Sequence, residues 1–288
     1  MSYFYTPLRY PGGKSKLSDY LKSILEVNDL CDGHYMEPYA GGAGVALSLL
    51  MTEYASHIHI NDLNKPLYAF WHSVLYDTEA LCRRIKNCRV TLNVRRRQKK
   101  IITRPDEHDL LELGFACFFL NRTNRSGIIS GGVIGGNDQA GEWKIDARFN
   151  KNTLIERIER IADYSHRISI YNLDATHIIK EIIPSLPRKS LIYLDPPYYV
   201  KGQRLYDNHY HHEDHEKIAK LVQTKIKRPW LVSYDNTKEI RSLYREHRCY
   251  GYSLNYSASK VYNGSEVMIY SDGIKLPRPN RPGLKLAS

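Results

Sequence analysis

Leu191-Ile192-Tyr193-Leu194-Asp195-Pro196-Pro197-Tyr198-Tyr199 is the stretch on which the reading of the whole chain turns. Its first four residues are apolar, with aromatic and β-branched members, and read as a buried strand. The prolines stop the strand, since each fixes its own φ and lacks an N–H, and the residue before a proline is pushed toward extended geometry. Asp195 is thus expected to stand stiffly at a strand's carboxyl end, where open α/β sheets bind ligands. A rigid turn there aims the Asp195 carboxylate, the Pro196 carbonyl and the Tyr198 ring into one crevice. Acceptors beside an aromatic face suit a planar group with an amino donor, and a nucleobase carrying an exocyclic NH2 is the obvious candidate. Such a base has to leave the duplex before an enzyme can work on it. The competing reading of Asp-Pro-Pro-Tyr is a tight loop after a strand and nothing more.

Upstream, His34 to Leu50 (HYMEPYAGGAGVALSLL) reads as a short strand, an acid, a small-residue turn and an apolar helix. That is the entry of a doubly wound nucleotide-binding fold, although Gly41-Gly42-Ala43-Gly44 does not match the dinucleotide fingerprint. His57 to Asp62 is a second short strand ending in an acid, and Asp62 lies 21 residues beyond Gly41, about where an acid reaches ribose hydroxyls. Together they point to an adenosine site. His57 and His59 read as ordinary partly buried histidines. Before them, Pro11-Gly12-Gly13 is a turn, followed by a helix with Leu17, Tyr20, Leu21, Ile24 and Leu25 on one face. Gly13-Lys14-Ser15 resembles the end of a P-loop, but Leu8 stands where that motif needs glycine, which excludes a nucleotide-hydrolase reading. The turn instead presents Tyr10 and Lys14 at a helix start, where a carboxylate can bind. Ile168 to Asp174 is a further alternating strand ending in an acid, with a helix to Pro187. Trp230 to Tyr234, Cys249 to Leu254 and Val267 to Tyr270 supply more strands.

From Tyr68 to about Ala162 strand signals thin and helical patterns take over, including an apolar helix at Leu110 to Leu120. The chain carries a net charge of +11 with a pI near 9.3, which suits a polyanionic partner. Between Tyr76 and Arg160 there are 17 Lys and Arg against 11 Asp and Glu, so over half the excess falls there. The sharpest cluster, Arg95-Arg96-Arg97-Gln98-Lys99-Lys100, reads either as a solvated helix face or as a phosphate contact. Asn121-Arg122-Thr123-Asn124-Arg125 opens a glycine-rich loop running to Asn137, whose arginines could reach base edges or phosphates. The alternative is a surface loop without a ligand.

With 288 residues and 42% of them hydrophobic, the chain can bury one sizeable core, or one plus a smaller appended domain. No apolar stretch is long enough for a membrane span and the N-terminus lacks a signal-peptide pattern, so a soluble cytoplasmic protein is expected. Five cysteines without a CxxC pair argue against a disulfide framework and a zinc site. The histidine-rich stretch Asp207 to His215 reads as a helix start or a solvated loop, and no metal is expected. The basic, Pro-rich tail is read as disordered or loosely docked.

TPLRYPGGKSKL, EPYAGGAGVAL, HINDLN, FFLNRTNRSG, YNLD and DPPYY, in this order from Leu8 to about Tyr270, resemble the Dam-type (alpha-group) family of N6-adenine-specific DNA methyltransferases. The resemblance implies an α/β fold: a Rossmann-like S-adenosylmethionine-dependent methyltransferase sheet from residues 1–67 and 163–274, with an inserted, mainly helical target-recognition domain at 68–162 and a tail at 275–288. It implies S-adenosylmethionine as donor, with Tyr10, Lys14, Glu37, Gly41, Asp62, Asp174 and Asp195 around it. Asp195, Pro196, Pro197 and Tyr198 would hold the target base. Arg95, Arg96, Arg97, Asn121, Arg122, Asn124 and Arg125 are the DNA-binding candidates, on double-stranded DNA at the nucleoid, with a cognate restriction or defence system as a candidate partner. Members that read GATC carry an aromatic where this chain has Arg125 and an arginine where it has Ser130. N4-cytosine methylation, an RNA or nucleotide substrate and a catalytically silent DNA-binding protein of the same fold remain as alternatives.

Overall fold

Ser190–Leu194 forms a strand with all five residues buried, as a continuous apolar run at the centre of a parallel sheet requires. The computed structural model that contains it describes residues 5–9, 17–200, 210–255, 263–277 and 286–287. Two units divide the chain, one made of Met1–Gly12 and Asn64–Asn172, the other of Gly13–Leu63 and Leu173–Ser288.

The second unit is the sheet unit. Its strands are β1 (Gly33–Glu37), β2 (Ala55–Asn61), β4 (Ser190–Leu194), β5 (Trp230–Asp235), β6 (Arg248–Asn255), β7 (Asn263–Tyr270) and β8 (Leu286–Ala287). They stand in the order β2-β1-β4-β5-β7-β6-β8. The first four are parallel, and β7, β6 and β8 continue the sheet in antiparallel pairings. A mostly parallel, doubly wound order of this kind is Rossmann-like. The chain winds one way from β1 to β2 and the other way from β4 to β5. Adjacent β1 and β4 thereby flank the topological switch point, the crevice where such sheets bind ligands.

Helix α1 (Ser18–Val27) buries Tyr20, Leu21, Ile24 and Leu25, the face expected from their spacing. Helix α2 (Gly44–Met51) is buried at every position from Val45 onward, so it is apolar all round. Side by side, His34, His57 and His59 occupy β1 and β2, with His34 Nδ1 3.0 Å from His59 Nε2. Burial, reinforced by His57 and His34, lowers the His59 pKa to about 3. The helix expected before β4 is a helical run in three geometries: a short α turn at Ala175–His177, a π turn across Ile178–Ile182 and a 3-10 turn at Ile183–Ser185. Pro184 accounts for the break, since it has no N–H for the helical ladder. Helices α8 (His212–Lys225) and α9 (Lys238–Leu243) follow β4 and β5. The end of the tail is not loose throughout, because Leu286 and Ala287 pair with Tyr252 and Gly251. Residues 278–285 and 288 of that tail lie outside the described residues.

The first unit is mainly helical: α3 (Lys65–Tyr76), α4 (Thr78–Asn87), α5 (Leu92–Ile102), α6 (Leu110–Thr123), α7 (Lys151–Ala162) and the strand β3 (Ile168–Tyr171). Asn64, Thr91, Asp109 and Asn150 each accept a backbone N–H of the first turn, so polar caps set where α3, α5, α6 and α7 begin. Phe70 stacks on Phe118 at 5.7 Å, and Phe118 and Phe119 meet Phe149. Helices α3 and α6 approach so closely at Gly114 that a Cβ there would lie 2.5 Å from the Ala69 carbonyl oxygen. Only glycine fits.

Candidate active site

Three side chains from β5 and β7 clamp the turn that leaves β4. Ser233, within β5, donates its hydroxyl to Asp195 Oδ1 at 2.6 Å and shares a 2.8 Å hydrogen bond with the Tyr193 hydroxyl. Asp235 ends β5, is 6% exposed, and accepts the Tyr199 and Val200 N–H groups at 2.8 and 2.9 Å. Since Pro196 and Pro197 offer no N–H, the anchoring amides lie beyond them. Glu266 in β7, 2% exposed, accepts the Tyr198 hydroxyl on Oε1 at 2.6 Å and the Tyr252 hydroxyl on Oε2. A carboxylate so deeply buried requires donors, and here one of them is the aromatic ring that ends the motif. Asp195 and Tyr198 are therefore both tethered.

The loop after β1 faces the same crevice. Gly41 and Ala43 adopt left-handed backbone, with φ of 50° and 47°, and Ala43 caps α2. The Gly41 N–H donates to Asp62 Oδ2 at 3.1 Å, so the acid ending β2 stands directly beside the loop, as the spacing suggested. Asp174, by contrast, is exposed and caps its helical run by accepting the Thr176 N–H at 2.8 Å. Tyr10 and Lys14 lie outside the described residues.

Glu37 is 4% exposed and accepts the Tyr35 hydroxyl at 3.0 Å and the Ala46 N–H at 3.2 Å. Burial pushes its pKa up to about 8, against the pull of those two hydrogen bonds and helped by the nearby Asp195 charge. The folded protein thus holds a proton on Glu37 that the unfolded chain releases near 4.5. Its contribution to stability is complete below the unfolded value and is lost as pH rises through about 8. Melting curves of Glu37→Gln, which cannot ionise, are expected to fall less steeply between pH 5 and 9 than those of the native protein. Parallel slopes would show that Glu37 is ionised throughout.

Asn61 was not anticipated. Its amide donates to the Pro38 and Leu173 carbonyls, both at 2.9 Å, and accepts the Leu173 N–H at 2.9 Å. Ser233 and Glu266 were missed as well, since a serine in an apolar strand and an acid inside one carry no motif. Asp235 did carry a signal: Trp230 to Asp235 has the same strand-then-acid pattern as His57 to Asp62.

In the helical unit the DNA-binding candidates separate into two groups. Arg95 is 7% exposed, and its guanidinium donates to Asn124 Oδ1 at 2.7 Å and to the Gly131 carbonyl at 2.9 Å. Asn124 in turn donates to the carbonyls of Ile128 and Ile129, and Asn121 binds both the N–H and the carbonyl of Arg9. Arg122 donates to the Arg148 carbonyl at 2.6 Å. Those four are tied to neighbouring protein groups. Arg96, Arg97 and Arg125 are exposed.

Among the described residues no group of three His, Cys, Asp or Glu side chains could hold a metal ion, and no helix is long and apolar enough to cross a membrane. Of the histidine-rich stretch, residues 207–209 lie outside the described residues; His211, just before α8, forms a capping box with Asp214, and His215, within α8, meets the Tyr234 hydroxyl at 3.1 Å.

The solved structures similar to the chain include two at low identity. One is titled "Putative methyltransferase yhhF from Escherichia coli", at 8% identity and a TM-score of 0.36 over 89% of this chain and 85% of that one. The other is the rRNA methyltransferase aviRa of Streptomyces viridochromogenes, at 11% identity and a TM-score of 0.34 over 87% and 82%. No curated protein matches. The model of the family described as D12 class N6 adenine-specific DNA methyltransferase matches residues 10–258, which takes in both the loop after β1 and the turn after β4. The chain therefore belongs to the D12 class N6 adenine-specific DNA methyltransferases.

Proposed function

We propose that the protein moves a methyl group from S-adenosylmethionine to the N6 amino group of an adenine flipped out of duplex DNA, and that Asp195, Pro196 and Tyr198 are the groups that touch that base. The observation that carries this reading is the double tether at the sheet's switch point, Ser233 on Asp195 and Glu266 on Tyr198. A hydrogen-bond acceptor and an aromatic face held rigidly a few residues apart suit a planar base with an amino donor.

S-adenosylmethionine, when bound, would supply an electrophilic methyl group, the S–CH3 bonding pair staying on sulfur as the neutral thioether S-adenosylhomocysteine leaves. The residues present fit it: a left-handed glycine turn lets backbone approach a ligand, and Asp62, bonded to the Gly41 N–H, is an acceptor for ribose hydroxyls. Glu37 holds the start of α2, the helix that follows that turn, by accepting the Ala46 N–H, while Asp174, Tyr10 and Lys14 are assigned to the cofactor's adenine and methionine ends. For the base, the Asp195 carboxylate and the Pro196 carbonyl accept the two amino hydrogens, so the nitrogen lone pair turns toward the methyl group. Tyr198 stacks on the ring. As the nitrogen takes its new substituent it loses a proton, and Asp195 is the acceptor within the hydrogen bond. Positioning supplies most of the rate, and no nucleophilic cysteine takes part. In the helical unit Arg96, Arg97 and Arg125 contact the duplex, and Arg95, Asn121, Arg122 and Asn124 frame the loop that carries Arg125.

Single-molecule sequencing of DNA from cells that express the protein tests this directly. N6-methyladenine at one short motif is expected, absent when Asp195→Ala is expressed instead. N4-methylcytosine at that motif would overturn the base assignment, and unmarked DNA would overturn the reaction on DNA altogether.

A further inference from the structure

The helical unit carries an exposed aromatic that none of the roles above uses. Trp143 is 57% exposed, whereas Trp71 and Trp230 are each 3% exposed. The Arg148 guanidinium lies over the Trp143 ring, 5.5 Å from its centroid. The loop beneath is well braced. Gln139 donates to the carbonyls of Ile134 and Gly136 at 2.8 and 2.7 Å and accepts the Ile145 N–H at 2.8 Å, and Lys144 Nζ donates to the Gln139 carbonyl at 2.6 Å. One exposed ring is not a site by itself, but a tryptophan held on a braced loop offers a rigid apolar face with a polar N–H, and its neighbours decide what it can take.

Charge gathers beside it. Arg122 Nε donates to the Arg148 carbonyl, Arg157 Nη1 to the Thr6 carbonyl at 3.3 Å, and Arg9 Nη1 to the Asn124 carbonyl at 3.3 Å. Among the described residues none of these four arginines forms an ion pair, and Glu142 and Asp146, exposed on the same loop, pair with none of them. Burial first, then the like charges of Arg9, Arg157 and Arg148, bring the Arg122 pKa down to about 9. Crowded guanidiniums without a carboxylate favour an added anion, and their planar N–H forks match phosphate oxygens. An aromatic face alongside takes a nucleobase whose face is uncovered where the stack opens around a flipped base.

We propose that Trp143 and Arg148, backed by Arg9, Arg122 and Arg157, form a second duplex-DNA contact of this unit, with Arg148 on a backbone phosphate and the Trp143 ring against a base face at the target site. The inference rests on the DNA reading given above and adds residues to it.

The exposed tryptophan is its own reporter. A fluorescein-labelled 25-base-pair duplex titrated into the full-length protein gives affinity by anisotropy, and an unlabelled duplex of the same sequence gives tryptophan quenching. Binding is expected to quench the native protein's emission. Trp143→Ala is expected to lose the quench and to bind roughly 5- to 150-fold more weakly, the range of a lost base stack, and Trp143→Phe to recover most of the affinity without the quench. Arg148→Gln is expected to lower the slope of log K against log salt by about one. Native-like affinity and an unchanged slope in the Trp143→Ala and Arg148→Gln variants, with the native protein still binding duplex, would overturn this surface and leave the DNA reading standing. Failure of the native protein to bind duplex, or tighter binding with the same quench on an RNA duplex of equal sequence, would overturn both.

Discussion

Replacing Asp195 by alanine is expected to lower single-turnover methyl transfer by about 10³-fold or more while affinity for duplex DNA stays within about threefold. The two effects separate because the carboxylate's work is local. In the proposed reaction it accepts an amino hydrogen, draws the nitrogen lone pair out of conjugation with the ring and takes up the proton that nitrogen must release, whereas affinity is expected to come mainly from phosphate contacts elsewhere. Asp195→Asn is expected to fall between native and alanine, since an amide keeps one acceptor oxygen but loses the charge. Rapid-quench measurement with a labelled methyl donor reads the first effect, and anisotropy the second. An alanine variant that keeps a tenth of the native rate would remove Asp195 from the chemistry.

The second large effect is expected at Tyr198 and at the acid that holds it. Tyr198→Ala removes the face assigned to the base in the proposed reaction and is expected to weaken capture of the flipped adenine by about 1–3 kcal/mol, seen as lost enhancement when 2-aminopurine replaces the target. Glu266→Gln should act through the same ring. The neutral amide is a weaker acceptor for the Tyr198 and Tyr252 hydroxyls, so the ring is less well oriented before the base arrives and part of the stacking energy goes into ordering it. Its loss is therefore expected to appear in the native background and to vanish in Tyr198→Phe, where no hydroxyl remains to be held. Equal losses in both backgrounds would make Glu266 a support of the sheet alone.

How much of this was legible in the sequence depends on how local the signal is. Leu191 to Tyr199 gave strand, stop and acid at once, because apolar run, prolines and carboxylate are neighbours in the chain. The glycine loop and Asp62 were legible in the same way, as a turn and an acid 21 residues on, whereas the bond from the Gly41 N–H to Asp62 is a finding of the folded chain. Arg95 shows the limit: nothing in Arg95-Arg96-Arg97 says that the first guanidinium turns inward to Asn124 and Gly131 while its two neighbours face water. That split follows from helical phase against packing that only the folded unit defines. Ser233 and Glu266 were hidden for a related reason, since they reach Asp195 and Tyr198 across strands joined only by sheet pairing. Trp143 stood in plain view, but exposure is not written in a single tryptophan.

Asn61 bears on inheritance. Its side-chain amide grips Leu173 in both directions, across 112 positions of sequence, much as two strand residues would pair. The points where the chain departs from the sheet unit and comes back to it are therefore held together by groups belonging to that unit itself. Closing a long loop grows costlier only as the logarithm of its length, and with the ends already fastened even that dependence is blunted. Segments can lengthen, shorten or be exchanged between such a departure and return without loosening the crevice behind Asp195. On the proposed division of roles, such exchanges would alter sequence preference by recombination while the chemistry passed down unchanged.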